Sequence, residues 1–318
     1  MSAELKIYVL GIGGRGLNAL TAVKRRGIPV KTIGIDTDSS ALSIAKCDER
    51  LLIGEDITKG RSTAGAMELG RKAMEAQAYK VVEKVADGEV VVIISGLGGG
   101  TGSGGHPVLI EKIKESYPDK LVISFVTIPF KTESANRIKN AKVALSSIID
   151  LSDVTVVHFN DKLKEKYPTL PLVRAYRILD SKIEACLQAI LGLQSIKPIP
   201  GVMNVDFSSF KAIAMKSGLG LINVKEAAGV LEAFKESMKE EFCDIDIAGS
   251  KGAVVYIEGT ETSLQISDIY DISGTLTSTY NIQVVYFGFK PSWELTQPRV
   301  ALIVTGVKSE SVKRFLEE

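Results

Sequence analysis

The chain has 318 residues, 45% of them hydrophobic and 24% charged, with a net charge of +1: long enough for two domains, and without the basic field that nucleic acid demands. Its two histidines (His106, His158) and three scattered cysteines (Cys47, Cys186, Cys243) speak against a histidine triad, a zinc cluster or a disulfide framework, and suit a reduced cytoplasmic setting. No apolar run approaches the ~20 residues that span a bilayer and no secretory signal opens the chain, so membrane insertion is not expected.

In chain order, the first half alternates strands and helices. Leu5–Leu10, Val30–Ile35, Val90–Ile94, Leu121–Val126 and Val154–Phe159 are short apolar, β-branched runs. Met67–Val85, Pro107–Tyr117 and Asn136–Ile149 carry helical spacing between them. Continuously apolar strands separated by helices predict a parallel sheet covered on both faces, with ligands at the carboxyl ends of its strands. Leu172–Ser195 predicts one long helix, closed by the breaker cluster Lys197-Pro198-Ile199-Pro200-Gly201. Beyond it, Leu231–Phe242 and Ile266–Tyr280 read as helices and Ala253–Ile257, Gln283–Phe289 and Val300–Thr305 as strands, followed by a short helical end. This is the pattern of a smaller α+β domain. The expected divisions are 1–171, a linking helix 172–200, and 201–318.

Two glycine loops fall at predicted strand ends. Gly96-Leu97-Gly98-Gly99-Gly100-Thr101-Gly102-Ser103-Gly104-Gly105 sits between a buried strand and an amphipathic helix. Free backbone N–H groups and the positive helix end there suit phosphate oxygens, and the hydroxyls of Thr101 and Ser103 add donors or reach a metal ion. No lysine follows, so this is not the GxxxxGK[ST] loop. The earlier loop, Gly11-Ile12-Gly13-Gly14-Arg15-Gly16, fits GxGxxG, with Asp36 and Asp38 about 20 residues on. Alone, that fingerprint fits a nicotinamide-dependent oxidoreductase. Two convergent loops suit a triphosphate better.

The run Gly98–Gly104 (GGGTGSG) is the tubulin signature, and from Lys6 to about Gly306 the chain resembles the FtsZ/tubulin family of GTPases. The resemblance implies a Rossmann-like α/β GTP-binding domain, a long core helix and a smaller α+β domain. It implies that GTP or GDP with Mg²⁺ is bound by Gly11, Gly13, Gly14, Gly16 and Asn18 of the first loop and by Gly98, Gly99, Gly100, Thr101, Gly102 and Ser103 of the signature. Asp36 stands where the family has Asn, and Glu133 and Arg137 resemble its ribose and phosphate loop. Asn160 and Asp180 take the places of the guanine-reading residues, and Tyr176 that of the aromatic that stacks on the base. No direct protein ligand to the metal is assigned. The residues by themselves leave other readings open: Asn160 a turn residue, Glu133 and Arg137 an i,i+4 ion pair.

The resemblance further implies self-association into head-to-tail filaments serving cell division or a related cytoskeletal role. In such filaments a catalytic loop from one subunit covers the nucleotide of the next. Here that loop is Asn204-Val205-Asp206-Phe207-Ser208-Ser209, which keeps Asn204 and Asp206 but has Ser209 where the family has an acid. Hydrolysis is therefore expected to be weak. The loop Gly60–Ala66 is poorer in glycine than the family's, and its Arg61 is expected to face solvent. No disordered linker or docking peptide follows the last element. The expectation is thus a divergent paralogue, either a polymer itself or a GTP-binding regulator co-assembling with a second, more active FtsZ-like protein.

Overall fold

The computed structural model describes residues 5–197, 199 and 203–318, and the chain divides into two compact units, Met1–Glu184 with Val312–Glu318, and Ala185–Ser311. Pro198, Pro200 and Gly201 of the breaker cluster lie outside the described residues.

The first unit is built on parallel strands. In chain order they are β1 (Ile7–Ile12), β2 (Lys31–Asp36), β3 (Glu49–Leu52), β4 (Val90–Gly96), β5 (Leu121–Ile128) and β6 (Val154–Phe159). Their order across the sheet is β3-β2-β1-β4-β5-β6, every pairing parallel. β1, β4, β5 and β6 are buried along almost their whole lengths, as strands covered on both faces must be. The helices between them include α1 (Gly13–Arg26), α2 (Ser39–Ile44), α3 (Glu55–Thr58), α4 (Met67–Lys84), α5 (Gly100–Ser116), α6 (Ala135–Leu151) and α7 (Asn160–Lys166). The strand order reverses direction between β1 and β4, and both glycine loops leave the carboxyl ends of these two neighbours. An open α/β sheet places its ligand at such a switch point.

α5 begins seven residues before the expected Pro107, so Gly100–Gly105 are helical rather than loop. Glycine is a poor helix former, but here close packing decides. A Cβ on Gly104 would stand 2.2 Å from the Met67 carbonyl oxygen, and one on Gly70 would stand 2.2 Å from that of Gly100. Much of the glycine run therefore serves the approach of α4 to α5. The same logic governs the first loop. A Cβ on Gly16 would lie 2.5 Å from the Ile94 carbonyl oxygen and 2.6 Å from the carbonyl carbon of Gly11, whereas Gly14 has open space around it.

A polar chain threads the core of this unit. Ser95 Oγ lies 2.7 Å from His106 Nδ1, His106 Nε2 lies 2.9 Å from Ser124 Oγ, and Ser124 Oγ lies 2.6 Å from Ser152 Oγ. His106 is fully buried, and desolvation pushes its imidazole down to about 3.

The long helix α8 (Leu172–Gly192) carries the chain into the second unit, where α9 (Phe207–Ala214), β7 (Gly218–Glu226), α10 (Val230–Ser237), β8 (Gly252–Gly259), α11 (Ile266–Gly274), β9 (Val285–Pro291) and β10 (Arg299–Thr305) follow. The strands run β7-β10-β8-β9: β10 is antiparallel to β7 and β8, and β8 is parallel to β9. Its core joins Phe234, Ile272, Leu276 and Phe287 to the inner faces of β8 and β10. Helix α12 (Glu310–Glu317) closes the chain, its Phe315 ring edge-on to Phe159 at 5.9 Å.

Two measurements check this packing. Gly16→Ala is expected to destabilise by about 3 kcal/mol or more in denaturant unfolding, whereas Gly14→Ala changes stability by less than about 0.5 kcal/mol. Once unfolded, the His106 imidazole binds a proton below about pH 6.5; in the folded chain it does not until about pH 3. Stability should then fall by about 2 kcal/mol between pH 6.5 and 5, and His106→Gln should flatten that slope.

Candidate functional site

A cavity of about 1300 Å³ opens over the carboxyl ends of β1, β2, β4, β5 and β6 in the first unit. Its floor is made by residues that follow those strands directly: Gly13 and Gly14 after β1, Asp36 at the end of β2, Gly96 and Leu97 at β4, Pro129 and Phe130 after β5, and Asn160 after β6. The sequence expectation thus converges in space. Gly13, Gly14, Asn18, Asp36, Gly99, Gly100, Thr101, Gly102, Glu133, Arg137, Asn160, Tyr176 and Asp180 all line it.

Gly11, Gly16, Gly98 and Ser103 stand behind the wall instead. Gly11 and Gly16 are packed backbone to backbone. Ser103 is fully buried, and its Oγ accepts the Gly98 N–H at 2.8 Å, so this hydroxyl shapes the loop instead of facing a ligand. Of the two signature hydroxyl residues, Thr101 is the one that lines the cavity. Its Oγ1 lies 3.0 Å from that of Thr37 and 3.5 Å from that of Thr63.

Gly13 has φ +72, a left-handed conformation that glycine adopts without strain, and it brings its backbone close to Gly102. The starts of α1 and α5 therefore present their free N–H groups side by side, and neither first turn holds an acidic residue. Two such helix starts side by side suit an anion.

Asp36 is 4% exposed and accepts the N–H groups of Thr37 at 2.7 Å and Asp38 at 3.3 Å; burial raises its carboxyl above the ordinary range. Asp38 caps α2 through the N–H groups of Ser40 and Ala41. Glu133 accepts the Phe130 N–H at 2.9 Å and pairs with Arg137 at 2.5 Å, so the helical ion pair is present in a residue pair that also lines the cavity.

Opposite the glycine loops, α8 contributes Leu172, Val173, Tyr176, Arg177, Asp180, Ser181 and Glu184, spaced by three and four so that one face fronts the cavity. Tyr176 is half-buried, and desolvation raises its phenol above the ordinary value. Asn160 is 7% exposed, and its Oδ1 has no hydrogen-bond partner among the described residues. A buried orphan acceptor is costly unless something supplies a donor.

Of the loop Gly60–Ala66, Ser62, Thr63, Ala64 and Gly65 line the cavity, whereas Arg61 is exposed and does not. Two residues that sequence reasoning passed over also belong here. Arg15 reaches from the first loop to an ion pair with Asp180. Asn140 Nδ2 donates to the Gly65 and Gly98 carbonyls at 2.9 and 3.2 Å, tying two loops to α6. Its signal was an amide on the same buried face of α6 as Ala141, Ala144 and Ile148.

Asn204 and Asp206 lie in the second unit. Asn204 Oδ1 accepts the Ile199 N–H at 2.5 Å, and Asn204 bridges to Phe287 of β9. Asp206 is the N-cap of α9. Its Oδ1 accepts the Ser209 N–H at 2.6 Å, and hydrogen bonds from Ser209 hold its carboxyl below the usual range. Among the described residues no cluster of His, Cys, Asp and Glu is grouped to hold a metal ion, and no helix is long and apolar enough to cross a membrane.

Comparison with known proteins agrees with this arrangement. Residues 6–168 match the Tubulin/FtsZ family, GTPase domain. Cell division protein FtsZ 1 of Pyrococcus abyssi is 33% identical over 99% of this chain and 84% of its own length. The solved structure of an empty FtsZ dimer from Methanocaldococcus jannaschii superposes with a TM-score of 0.79 at 32% identity, covering 96% of this chain and 89% of that one. CetZ2 from Haloferax volcanii, solved as a GTPγS-bound protofilament, superposes at 0.83 over 98% and 97% with 22% identity, a likeness of fold. With glycine-loop backbones, a β-strand order and a full-length likeness all in agreement, the chain belongs to the tubulin/FtsZ family.

Proposed function

We propose that this chain binds GTP and GDP in the cavity of its first unit and assembles head to tail, so that residues Asn204–Ser209 of one copy cover the nucleotide of the next. The observation that carries the reading is one wall of paired helix N-termini facing another that offers an aromatic, a carboxylate and the orphan Asn160 carbonyl. The N–H groups around Gly13–Gly14 and Gly99–Gly102 take phosphate oxygens. Asn160 Oδ1 and Asp180 accept from the N1–H and 2-amino group of guanine, an edge adenine lacks, and Tyr176 supplies a stacking face of about 1–3 kcal/mol. Arg137 and Glu133 border the sugar and phosphates.

The oxygen donors beside the phosphate wall, the Asp36 carboxylate and the Thr101 hydroxyl, suit a hard divalent cation. When bound, Mg²⁺ would neutralise phosphate charge.

A filament follows from the heterologous contact, because a head-to-tail interface that does not close propagates. The curated relatives are named for cell division, and a division or related cytoskeletal role is the one we assign here. Turnover is slow: Asp206 spends its carboxylate capping α9, and Ser209, at the third position of that helix, offers no second carboxylate to polarise water. The nicotinamide reading is the weaker one, since it leaves the second glycine loop at the cavity without a role.

Mass spectrometry of released nucleotide is expected to find GDP or GTP, and a nicotinamide there would overturn the assignment. Sedimentation should yield equal polymer with GTP and with a non-hydrolysable analogue. Failure to pellet with either would make this a non-polymerising regulator of a more active relative. Ser209→Asp is expected to raise turnover by ~10²-fold or more, while Asp206→Ala removes what remains. Arg61→Ala should leave both GTP affinity and sedimentation unchanged.

A further inference from the structure

Arg15 is the one charged residue in the loop Gly11–Gly16, and nothing in a phosphate-binding role for that loop accounts for where its side chain goes. It sits in the first turn of α1, where the positive helix end disfavours a cation and no acidic residue compensates. Its stem lies over Gly96, where a Cβ would come within 2.7 Å of Arg15 Cβ. Its head crosses to α8, where Nη1 donates to Asp180 Oδ1 in a pair that is nearly buried on both sides. The pair is monodentate. Nε and Nη2 are buried and have no hydrogen-bond partner among the described residues, and Arg15 is one of the residues that line the cavity.

A guanidinium is a fork of five N–H donors, so unused donors remain beside a carboxylate whose Oδ2 is free of the pair. In the same cavity Asn160 holds a buried acceptor, also without a partner. Donors and acceptors that leave each other unsatisfied inside one cavity are complementary to a ligand edge that carries both. The 6-oxo group, N1–H and 2-amino group of guanine are such an edge, running acceptor, donor, donor.

We infer that Arg15 is a base-recognition residue, its spare guanidinium N–H groups donating to the 6-oxo oxygen of guanine while the Asp180 carboxylate it holds accepts from N1–H and the 2-amino group. The inference rests on the guanine reading of the cavity and adds to it the group that reads the oxygen. Adenine meets this wall with its amino group against Arg15 and its bare N1 against Asp180, so both contacts become repulsive.

The test uses the whole chain and equilibrium binding of GTP, 6-thio-GTP and ITP at fixed Mg²⁺. Sulfur is a weak acceptor, so 6-thio-GTP reports the Arg15 contact, and ITP, lacking the 2-amino group, reports Asp180 and Asn160. The wild type is expected to prefer GTP over 6-thio-GTP by about tenfold or more. Arg15→Met, which fills the volume without donors, should bring that ratio to about one while the preference for GTP over ITP persists; Arg15→Ala guards against a misfit of the longer side chain. Thermal melts establish that each variant is folded.

Equal wild-type affinity for GTP and 6-thio-GTP overturns the inference. So does a variant that keeps the GTP to 6-thio-GTP ratio and loses only the ITP discrimination, because Arg15 would then merely position Asp180. A folded variant with no measurable affinity for any of the three nucleotides counts against it in the same way. If the wild type binds no guanine nucleotide at all, the guanine reading itself fails and this inference with it, an outcome distinct from the others.

Discussion

The organising constraint of the first unit is the approach of backbone to backbone where β1 turns into α1. Gly11 and Gly16 touch through main-chain atoms, and Gly16 presses on the Ile94 carbonyl of the neighbouring strand. Only with both Cβ atoms absent can α1 begin so close to the sheet. The free N–H groups of its first turn then open at the strand ends beside those of α5. The cavity, its polarity toward anions and the reach of Arg15 to α8 all follow from that clearance.

Around this point the site separates into two kinds of residue. One kind builds the wall: Gly11, Gly16, Gly98 and Ser103 are spent on packing and on closing the loop, and Asn140 fastens two loops from behind. The other kind fronts the cavity with its chemistry partly unspent, as the orphan atoms of Asn160 and Arg15 show. A folded protein seldom leaves buried polar atoms unmatched, and several such atoms on residues lining one concavity are the kind of feature a ligand satisfies.

The parallel sheet was legible because its strands are buried on both faces. Continuous runs such as Val154–Phe159 need no neighbour to be recognised. β7 was not, since Gly218–Glu226 begins with alternating glycines and is buried only in its middle. The helical state of Gly100–Gly105 contradicts local propensity and is imposed by α4, a partner distant in sequence. Most of the site was readable through loop position and spacing: the nearness of Asn160, Tyr176 and Asp180 to the glycine loops follows from strand ends meeting on one edge. Arg15 was hidden for the opposite reason. Within a glycine motif it reads as a variable position, and only the fold puts Asp180 within its reach.

The contact of α4 with α5 has a mechanical side. Where Gly70 and Gly104 bring the two helices together main chain to main chain, those two positions offer no rotamer to absorb a small displacement. α4 is also the helix that directly follows the Ser62–Gly65 segment of the cavity rim. The rim and the glycine-rich turn are therefore joined through main chain in direct contact, with one helix between them.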